Sequence, residues 1–437
     1  MTGHDFIPGV IGSLVVPTEF SHYERIADSD TTIRLERWKG DARIYLSQVQ
    51  DLVDRGEHLQ LSLKNQADIV TAVAAFDGQG SWISEPLRKL ATKILEAFSE
   101  PTDSMLEQIL SQNVKPVFRS NPHPYLSEAT GRKLPRAAGG PMASQDAYED
   151  QTWKSRPGIS NVISWCIGNA SSRSYESLWH LIIPPVMTFL DDYEARYKLC
   201  GIQLASNMLK SVPRELLRRT GVDGLLLRSL LSTLNHLRNP ETPSLIRAAV
   251  PATLSLIHGT TAPGSSQRFE QLCSLLGDGI IGGVWIYAYA DPDTIEASID
   301  VLPDIIITLG IGAARYLKAL IPQLVHPLIP VPLTQPSGPM QLAALRALGT
   351  VIDVCAPRMC KWKCTILEGV GKCWVSLVDS GAEDEKAYAV KVALRDTCAK
   401  LAIACPTIVE GEYSQMVAFD PILFKGLVIP LEHVESQ

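Results

Sequence analysis

Apolar residues recur at three- and four-residue steps along most of this chain, which is the spacing of one face of an α-helix. The clearest case lies in residues 85–98, where Ser84 is a candidate N-cap and Pro86 suits the first turn. Its apolar positions are Leu87, Leu90, Ile94 and Phe98. The same spacing predicts helices over residues 34–54, 59–75 and 103–112. Strand patterns are scarce, since β-branched runs such as residues 305–307 lie inside helical periods.

A polar segment over residues 119–160 interrupts this pattern with prolines, glycines and charged residues. Connections of this length without periodicity are usually functional or disordered. A disordered linker has no need of large apolar side chains, yet this segment carries or adjoins Phe118, Tyr125, Leu134, Tyr148 and Trp153. We therefore expect a partly ordered segment docked on the helices. Whether it also contacts a partner stays open.

Helical patterns return after residue 160 and come in pairs. They predict helices over residues 162–168, 177–190, 196–210, 216–219, 225–237, 244–257, 268–276, 292–309, 313–325, 340–355, 361–378 and 382–404, followed by a short tail helix. Helix pairs that are each too thin to bury a core are typical of an α-solenoid. We predict an all-α protein, an irregular HEAT-like α-solenoid of antiparallel helix pairs.

The predicted organisation has a helical block, a segment and a repeat region. Residues 1–118 form an N-terminal helical block, residues 119–160 the docked polar segment, and residues 161–437 the HEAT-like repeats. Glycine- and proline-rich stretches near residues 258–267 and 327–339 predict soft breaks within the repeats.

The turn between residues 178–190 and 196–210 holds the most distinctive chemistry of the repeat region. Asp191 and Asp192 stand where a carboxylate caps the second helix, and Pro184-Pro185 should bend the first. Gly201 permits a close approach of the two helices. Arg196 and Lys198 are placed to pair with acidic turns. A metal-binding or catalytic pair is the rival interpretation of the two aspartates, but no His or third acid stands at ligand spacing.

Composition and charge restrict the kinds of partner that this protein can bind. The 437 residues carry a formal net charge of −7, and only 20% of them are charged. No basic stripe interleaved with aromatics is present, which argues against a nucleic-acid binder. A shortage of charge on an extended helical protein suggests that partners cover part of its surface. The short basic cluster of Arg132, Lys133 and Arg136 is either a solvated loop or a site for an acidic partner.

Nine cysteines, an odd number without a disulfide framework, and an N-terminus without a basic signal region predict a reducing compartment. The apolar region over residues 301–333 is interrupted by charges and prolines, so we expect no membrane span. The predicted protein is soluble and lies in the cytoplasm or also in the nucleus.

Catalytic and metal motifs are weak. The four cysteines with the closest spacing are Cys355, Cys360, Cys364 and Cys373. Their spacing differs from paired zinc knuckles, and we expect buried thiols, with zinc as the alternative. No nucleophile elbow is present, and His123 between two prolines suits a rigid loop. We predict no cofactor and no enzymatic activity.

One string of spaced small, aromatic and charged residues runs from the polar segment into the helices. In the polar segment it comprises Thr130-Gly131-Arg132-Lys133-Leu134, Gly139-Gly140, Asp146, Tyr148, Gln151 and Trp153-Lys154. In the helices it continues with Trp165-Cys166, Trp179, Ile183-Pro184-Pro185, Asp191-Asp192, Tyr197-Lys198 and Gly201. This string resembles the Tel-two-interacting-protein-two family. With Arg136, the residues of the segment are candidates for interaction or docking. Those of the helices are candidates for repeat structure.

The resemblance implies a non-catalytic subunit of the triple-T (TTT) co-chaperone complex. Its main direct partner would be Tel-two-interacting protein one, with Tel-two in the same complex. Through the heat-shock protein ninety machinery, that complex supports phosphatidylinositol-3-kinase-related kinases, including TOR and the ATM- and ATR-type kinases. TOR signalling, the DNA damage response and telomere maintenance would be the processes affected.

Two alternatives remain. A HEAT-repeat adaptor in nuclear transport or phosphatase scaffolding would share the helix pairs but should lack the motif between Gly131 and Lys154. An enzyme with a cryptic cysteine or zinc site is the more distant alternative.

Overall fold

The computed structural model describes residues 3–138, 151–330, 338–381 and 384–428, and within these ranges the regular elements are helical. The first eleven α-helices are α1 (Gly3–Leu14), α2 (Ser29–Asp54), α3 (Leu63–Ala74), α4 (Glu85–Glu96), α5 (Asp103–Gln108), α6 (Lys115–Phe118), α7 (Ile159–Asn169), α8 (Ser172–Leu190), α9 (Ala195–Ser211), α10 (Arg214–Thr220) and α11 (Val222–Thr233). The all-α prediction is confirmed.

The remaining α-helices are α12 (Thr242–Thr260), α13 (Ser266–Cys273), α14 (Trp285–Tyr287), α15 (Pro292–Asp300), α16 (Leu302–Leu309), α17 (Leu317–Val325), α18 (Gly338–Val354), α19 (Lys363–Asp379), α20 (Glu385–Ala404), α21 (Ser414–Phe419) and α22 (Pro421–Val428). Short 3₁₀ helices span Thr18–Arg25, Glu57–Gln60, Thr152–Ser155, Gly310–Tyr316, His326–Leu328 and Ala356–Lys361, and π-helices span Ile109–Val114, Ser274–Val284 and Val409–Tyr413.

Local sequence explains many helix starts. The side chains of Asp28, Ser62, Thr102 and Asp384 accept backbone N–H bonds at the first turns of α2, α3, α5 and α20. Ser84 stands at the N-cap of α4 as predicted, but its hydroxyl makes no capping bond within the described part of the chain.

The chain divides into two compact units, residues 1–229 and residues 230–437. In the first, α2 packs on α1 and α4, α3 packs on α1, α4 and α5, and α9 packs on α7 and α8. In the second, α18 contacts α15, α16, α17 and α20, while α12 packs on α15. The three blocks predicted from the sequence, residues 1–118, 119–160 and 161–437, are defined by periodicity and not by these two units. Their boundaries stay predictions.

Several helix boundaries differ from prediction. Helix α1 was not predicted, and the predicted helix over residues 292–309 is two helices, α15 and α16, meeting at Val301. The predicted break over residues 258–267 is shorter, because α12 continues to Thr260 and α13 starts at Ser266. Of the second predicted break, residues 331–337 lie outside the described residues.

The glycine-rich residues 277–283 form part of the π-helix Ser274–Val284. Close packing explains two of these glycines. A Cβ at Gly277 would stand 2.8 Å from Tyr316 Oη, and one at Gly279 would stand 2.6 Å from Leu234 Cδ1.

By length and composition alone, the helical stretch Pro292–Leu328 is apolar enough to cross a membrane, with a mean hydropathy of 1.6. In the structure it is several helices, and the chain turns at Gly310, whose φ is +57°. Leu302, Ile305, Ile306 and Leu309 of α16 are buried within the second unit. The core of a folded helical unit accounts for the apolar character of this stretch.

Candidate functional site: a polar segment clamped on a helical hairpin

Helices α8 and α9 form a close helical hairpin in the first unit. A capping box between Ser171 and Ser174 starts α8. A Cβ added at Gly201 would lie 2.3 Å from Leu190 N and 2.4 Å from Leu190 Cα, so this contact requires glycine, as the sequence analysis expected. Pro184 and Pro185 both lie inside α8.

Lys198 was expected to pair with an acidic turn, and that prediction is wrong. Its side chain is buried, and Nζ donates a hydrogen bond to the carbonyl oxygen of Leu190 at 2.6 Å. Burial lowers the pKa of Lys198, while the charges of Asp191 and Asp192 act in the opposite direction. This lysine therefore fastens the end of α8 to the first turn of α9, because the last carbonyls of a helix lack backbone donors.

Trp153 inserts into the aromatic end of this hairpin. Its ring lies 4.7 Å from that of Phe189, 5.0 Å from that of Tyr197 and 5.9 Å from that of Phe118. Only 1% of Trp153 is exposed. The indole is therefore covered by its own chain, and Trp153 anchors the polar segment to the hairpin.

Asp192, fully buried, collects the polar contacts around Trp153. Its carboxylate accepts hydrogen bonds from Gln151 Nε2 at 2.9 Å, Lys154 Nζ at 2.9 Å and the backbone N–H of Glu194 at 2.8 Å. The last bond orders the turn before α9, but the predicted cap is wrong: Glu194 stands at the N-cap of α9, without a side-chain capping bond among the described residues, and Asp191 is the C-cap residue of α8. Three donors compensate for the cost of burying the carboxylate.

Lys154, a candidate for interaction or docking, contacts the hairpin through two acids. Nζ also donates to Glu194 Oε1 at 2.7 Å and lies 4.1 Å from the centre of the Tyr193 ring. Glu194 Oε2 accepts from Arg196 Nη2 at 2.8 Å. Burial would raise the pKa of Glu194, but the hydrogen bond and charge of Lys154, with Arg196, bring it below its ordinary value.

The same charges reach the N-terminal helices. Arg196 Nη1 donates to the carbonyl oxygen of Ser21 at 2.6 Å, and Ser21 Oγ donates to the carbonyl oxygen of Lys154 at 2.6 Å. We call the set of Gln151, Trp153, Lys154, Asp192, Glu194 and Arg196 the clamp. It joins the 3₁₀ helix Thr18–Arg25, the end of the polar segment and the hairpin. Ser21 and Glu194 were absent from the sequence-based candidates because neither belongs to a recognisable motif.

The first part of the polar segment is held by a second contact, at Gly131. This residue has φ +64°, and its carbonyl oxygen accepts a hydrogen bond from Trp179 Nε1 at 3.0 Å. A Cβ at this position would stand 2.8 Å from Trp179 Cδ1 and 2.9 Å from Ile183 Cγ2. The backbone N–H of Lys133 donates to Thr220 O at the end of α10. Glycine is therefore required both by conformation and by space.

The predicted basic cluster lies next to this contact in the sequence. Arg132, Lys133 and Arg136 are exposed and form no ion pair with the described residues. Four further candidates of the segment, Gly139, Gly140, Asp146 and Tyr148, lie outside the described residues.

His123 is a contact that the sequence did not reveal. Nδ1 accepts the backbone N–H of Tyr125 at 3.3 Å, so the proton lies on Nε2, which donates to Asp191 Oδ2 at 3.0 Å. Burial acts to raise the pKa of Asp191, but the hydrogen bond from His123 brings it below its ordinary value. Asp191 and Asp192 thus bind different parts of the segment rather than one shared ion. Trp165, the remaining structural candidate, is buried in α7.

A metal site and the predicted cysteine cluster are the two remaining candidates for chemistry in the described ranges. No group of three or more His, Cys, Asp or Glu side chains there is arranged to hold a metal ion. The expectation that the four closely spaced cysteines are all buried is half wrong. Cys355 and Cys373 are buried, but Cys360 and Cys364 are exposed, because they precede or start α19 on its solvent side.

The fold and this site define an all-helical protein in which a polar segment is clamped onto a helical hairpin. The model of the Tti2 family matches residues 69–335. This range contains the helical hairpin and all six residues of the clamp. The chain belongs to the Tti2 family.

Relatives agree over a shorter stretch. TELO2-interacting protein 2 of Mus musculus and that of Rattus norvegicus are each 29% identical to the chain over 106 residues. This match covers 24% of the chain and 20% of either relative, so it spans about a fifth of their length. A crystal structure of an engineered protein aligns with 96% of the chain and 98% of its own at 14% identity, with a TM-score of 0.37. A score this low supports no argument about the fold.

Proposed function

We propose that this protein is a non-catalytic scaffold subunit of the TTT co-chaperone complex. It would bind Tel-two-interacting protein one directly and associate with Tel-two in the same assembly. With the heat-shock protein ninety machinery, this assembly would support the stability of phosphatidylinositol-3-kinase-related kinases such as TOR and the ATM- and ATR-type kinases. We further propose that its helix pairs form a HEAT-like solenoid and that it acts in the cytoplasm, or also in the nucleus.

The observation that carries this proposal is the family match over residues 69–335, which includes the clamp around Asp192. The names of the rodent relatives describe them as proteins that interact with TELO2. A scaffold of this kind acts through surfaces rather than a reaction centre. The Gly131 contact supports this role because it fixes the part of the polar segment whose exposed cations, Arg132, Lys133 and Arg136, remain available to a partner.

A scaffold stabilises a client through linkage, because it binds the folded client and not the unfolded one. Stable association with a partner requires roughly 1,200–2,000 Å² of buried surface. Exposed apolar side chains in the second unit are candidates for part of it, including Tyr289, Ile403, Phe419 and Ile422, which are 80–96% exposed.

Affinity purification of the tagged full chain from its native cells, followed by a salt wash and quantitative mass spectrometry, tests the proposal. The wild type should retain two large helical-repeat proteins in near-equal amounts, with related kinases at lower yield. Trp153→Ala removes the anchor of the polar segment and should reduce partner recovery at least tenfold. Tyr289→Ala, at an exposed site in the other unit, distinguishes loss of the clamp from loss of that apolar surface.

Recovery of importins or a phosphatase catalytic subunit by the wild type would support the nuclear-transport or phosphatase alternative instead. Recovery of no stoichiometric partner would contradict the scaffold proposal. Stoichiometric zinc in the purified protein would favour the enzyme alternative.

A further inference from the structure

A small pocket opens beside the clamp, between α6, the start of the polar segment and α8. Its volume is about 60 Å³. The apolar lining comes from both sides and includes Phe118, Leu126, Leu181, Pro184 and Pro185. Because Leu126 and Phe118 flank the bend at which the polar segment leaves α6, the pocket exists only while the segment is docked.

Two prolines of α8 alter the backbone hydrogen bonding of the helix beside this pocket. Proline has no N–H, so Pro184 and Pro185 cannot donate the helical bonds to the carbonyl oxygens four residues earlier. Those carbonyls belong to His180 and Leu181, which both line the pocket.

The mouth of the pocket is cationic. Lys115 and Arg119 line it, are exposed, and form no ion pair with the described residues. Arg132 is a third exposed cation nearby, since the preceding Gly131 packs against the backbone of His180. Glu128 is the acidic side chain in the lining. Cations therefore outnumber acids at this opening, which favours a partner of negative charge.

The size of the pocket restricts what enters it. A cavity of about 150 Å³ is known to hold a benzene ring, and this pocket is less than half as large. An aliphatic side chain of the size of Val or Leu fits this space better than an aromatic one. The apolar lining gives such a side chain a place to exclude water, while the surrounding charges orient the residues on either side of it.

We propose that this pocket binds a short acidic segment of a partner protein. One aliphatic side chain of the segment enters between Pro184, Pro185 and Leu126, and flanking carboxylates pair with Lys115 and Arg119. The proposal rests on the proposed function in one respect, namely that the protein works by binding other proteins. It adds the chemistry of the partner and the place where that partner docks.

Fluorescence polarisation with labelled peptides of the pattern acid–acid–X–acid–acid tests this directly on the full chain. Peptides with X as Leu or Val should bind, and those with X as Gly or Trp should bind at least tenfold more weakly. Raising the salt concentration from 50 to 300 mM should weaken binding several-fold, because exposed charges are screened.

Two variants locate the site. Lys115→Glu with Arg119→Glu reverses the exposed cations without touching the core and should weaken binding at least tenfold. Thr188→Trp, in the half-buried wall of the pocket, should fill it and give a similar loss. Arg88→Glu with Lys89→Glu, the same change of charge on the exposed face of α4, should leave binding unchanged.

Absence of peptide binding by the wild type would overturn the proposal. Equal affinity for the Leu, Val, Gly and Trp peptides would also overturn it, as would an equal loss of binding in the α4 control variant and the pocket variants. Loss of the helical-repeat partners from wild-type purifications would instead count against the proposed function. A pocket variant that binds no peptide yet retains those partners would place their main interface elsewhere and leave the pocket as a separate docking site.

Discussion

The two compact units each contain a cluster of charges that joins several elements, and these clusters differ in burial. In the clamp, Asp192 is fully buried and the side chain of Lys154 is 13% exposed. In the second unit, Asp300 accepts hydrogen bonds from Arg247 at 2.7 Å and Arg346 at 3.0 Å, linking α12, α15 and α18. The side chains of Arg247 and Arg346 are 41% and 62% exposed.

This difference indicates what each cluster does. The exposed network joins helices that already pack through apolar side chains, and water and salt weaken its charges. The buried clamp holds the end of the polar segment, where hydrogen bonds to Asp192 and the Trp153 ring attach it to the hairpin. Removing a partner from the clamp leaves a buried charge, whereas removing one from the network leaves a hydrated charge.

The largest expected effect tests the hairpin on which the clamp is built. Gly201→Ala places a Cβ within 2.3–2.6 Å of backbone atoms of Phe189 and Leu190, which cannot move aside without shifting the helix. We expect the free energy of unfolding to fall by about 3 kcal/mol. Thermal unfolding and hydrogen exchange of residues 172–211 measure this loss.

Gly349→Ala is the matched control in the second unit, since Gly349 also lies inside a helix and is buried. A Cβ there meets only the flexible side chain of Lys400, at 3.3 Å from Nζ. Alanine is the better helix former by about 1 kcal/mol, so this variant should be neutral or slightly stabilised. Equal destabilisation of both variants would show that the close approach at Gly201 is not the cause.

The next effect compares the two acids directly. Asp192→Asn keeps the shape of the side chain but removes the charge that accepts from Lys154 and Gln151. We expect a loss of about 2 kcal/mol, the range of hydrogen bonds to charged groups, with faster hydrogen exchange in residues 151–158. Asp300→Asn should cost less than about 1 kcal/mol. A larger loss for Asp300→Asn would reverse the distinction between the clusters.

Sequence patterns predict the helices of this protein better than its clamp. Helix α9 was expected over residues 196–210 and spans Ala195–Ser211, because helical periodicity depends on neighbours three and four residues away. Gly201 was also predictable, since close helix packing demands a small residue. Both features are local or depend on a single side chain.

The pairing of charges was not predictable in the same way. Lys154 was predicted only as a candidate for interaction or docking, and its partners Asp192 and Glu194 lie 38 and 40 residues away in the sequence. His123 was assigned to a rigid loop, yet it donates to Asp191. Such pairings depend on how a segment folds back over the helices. Neither composition nor local spacing determines the course that the segment takes. Cys360 and Cys364 show the same limit, because apolar neighbours in sequence do not fix which side of a helix is covered.

The smallest expected effect concerns acid, where a glutamate of each cluster should respond with opposite sign. In the clamp, the pKa of Glu194 is lowered overall: burial acts to raise it, but Lys154 and Arg196 outweigh that effect. In the network, burial and the charge of Asp300 raise the pKa of Glu296, against the attraction of Arg247. A lowered pKa means that the ionised form stabilises the fold, and a raised pKa means that it destabilises the fold.

We therefore expect Glu194→Gln to lower the free energy of unfolding at pH 7 by less than about 1 kcal/mol, the range of partly exposed ion pairs. The difference from wild type should shrink as the pH falls through the lowered pKa of Glu194, because the wild-type carboxylate then takes up a proton. Glu296→Gln should instead leave stability unchanged or raise it slightly at pH 7. That gain should disappear as the pH falls through the raised pKa of Glu296, where the wild-type side chain is already neutral.

Urea unfolding of both variants and the wild type between pH 4 and pH 7, followed by hydrogen exchange in each unit, measures the two differences separately. The units have to be followed individually because a chain of two compact units need not unfold in a single step. Differences of the same sign for both variants would mean that the surrounding charges, rather than the contrast between clamp and network, control these carboxylates. Differences of opposite sign would show that the two clusters also differ in protonation. The clamp would then stabilise the ionised form of Glu194, whereas the network would disfavour the ionised form of Glu296.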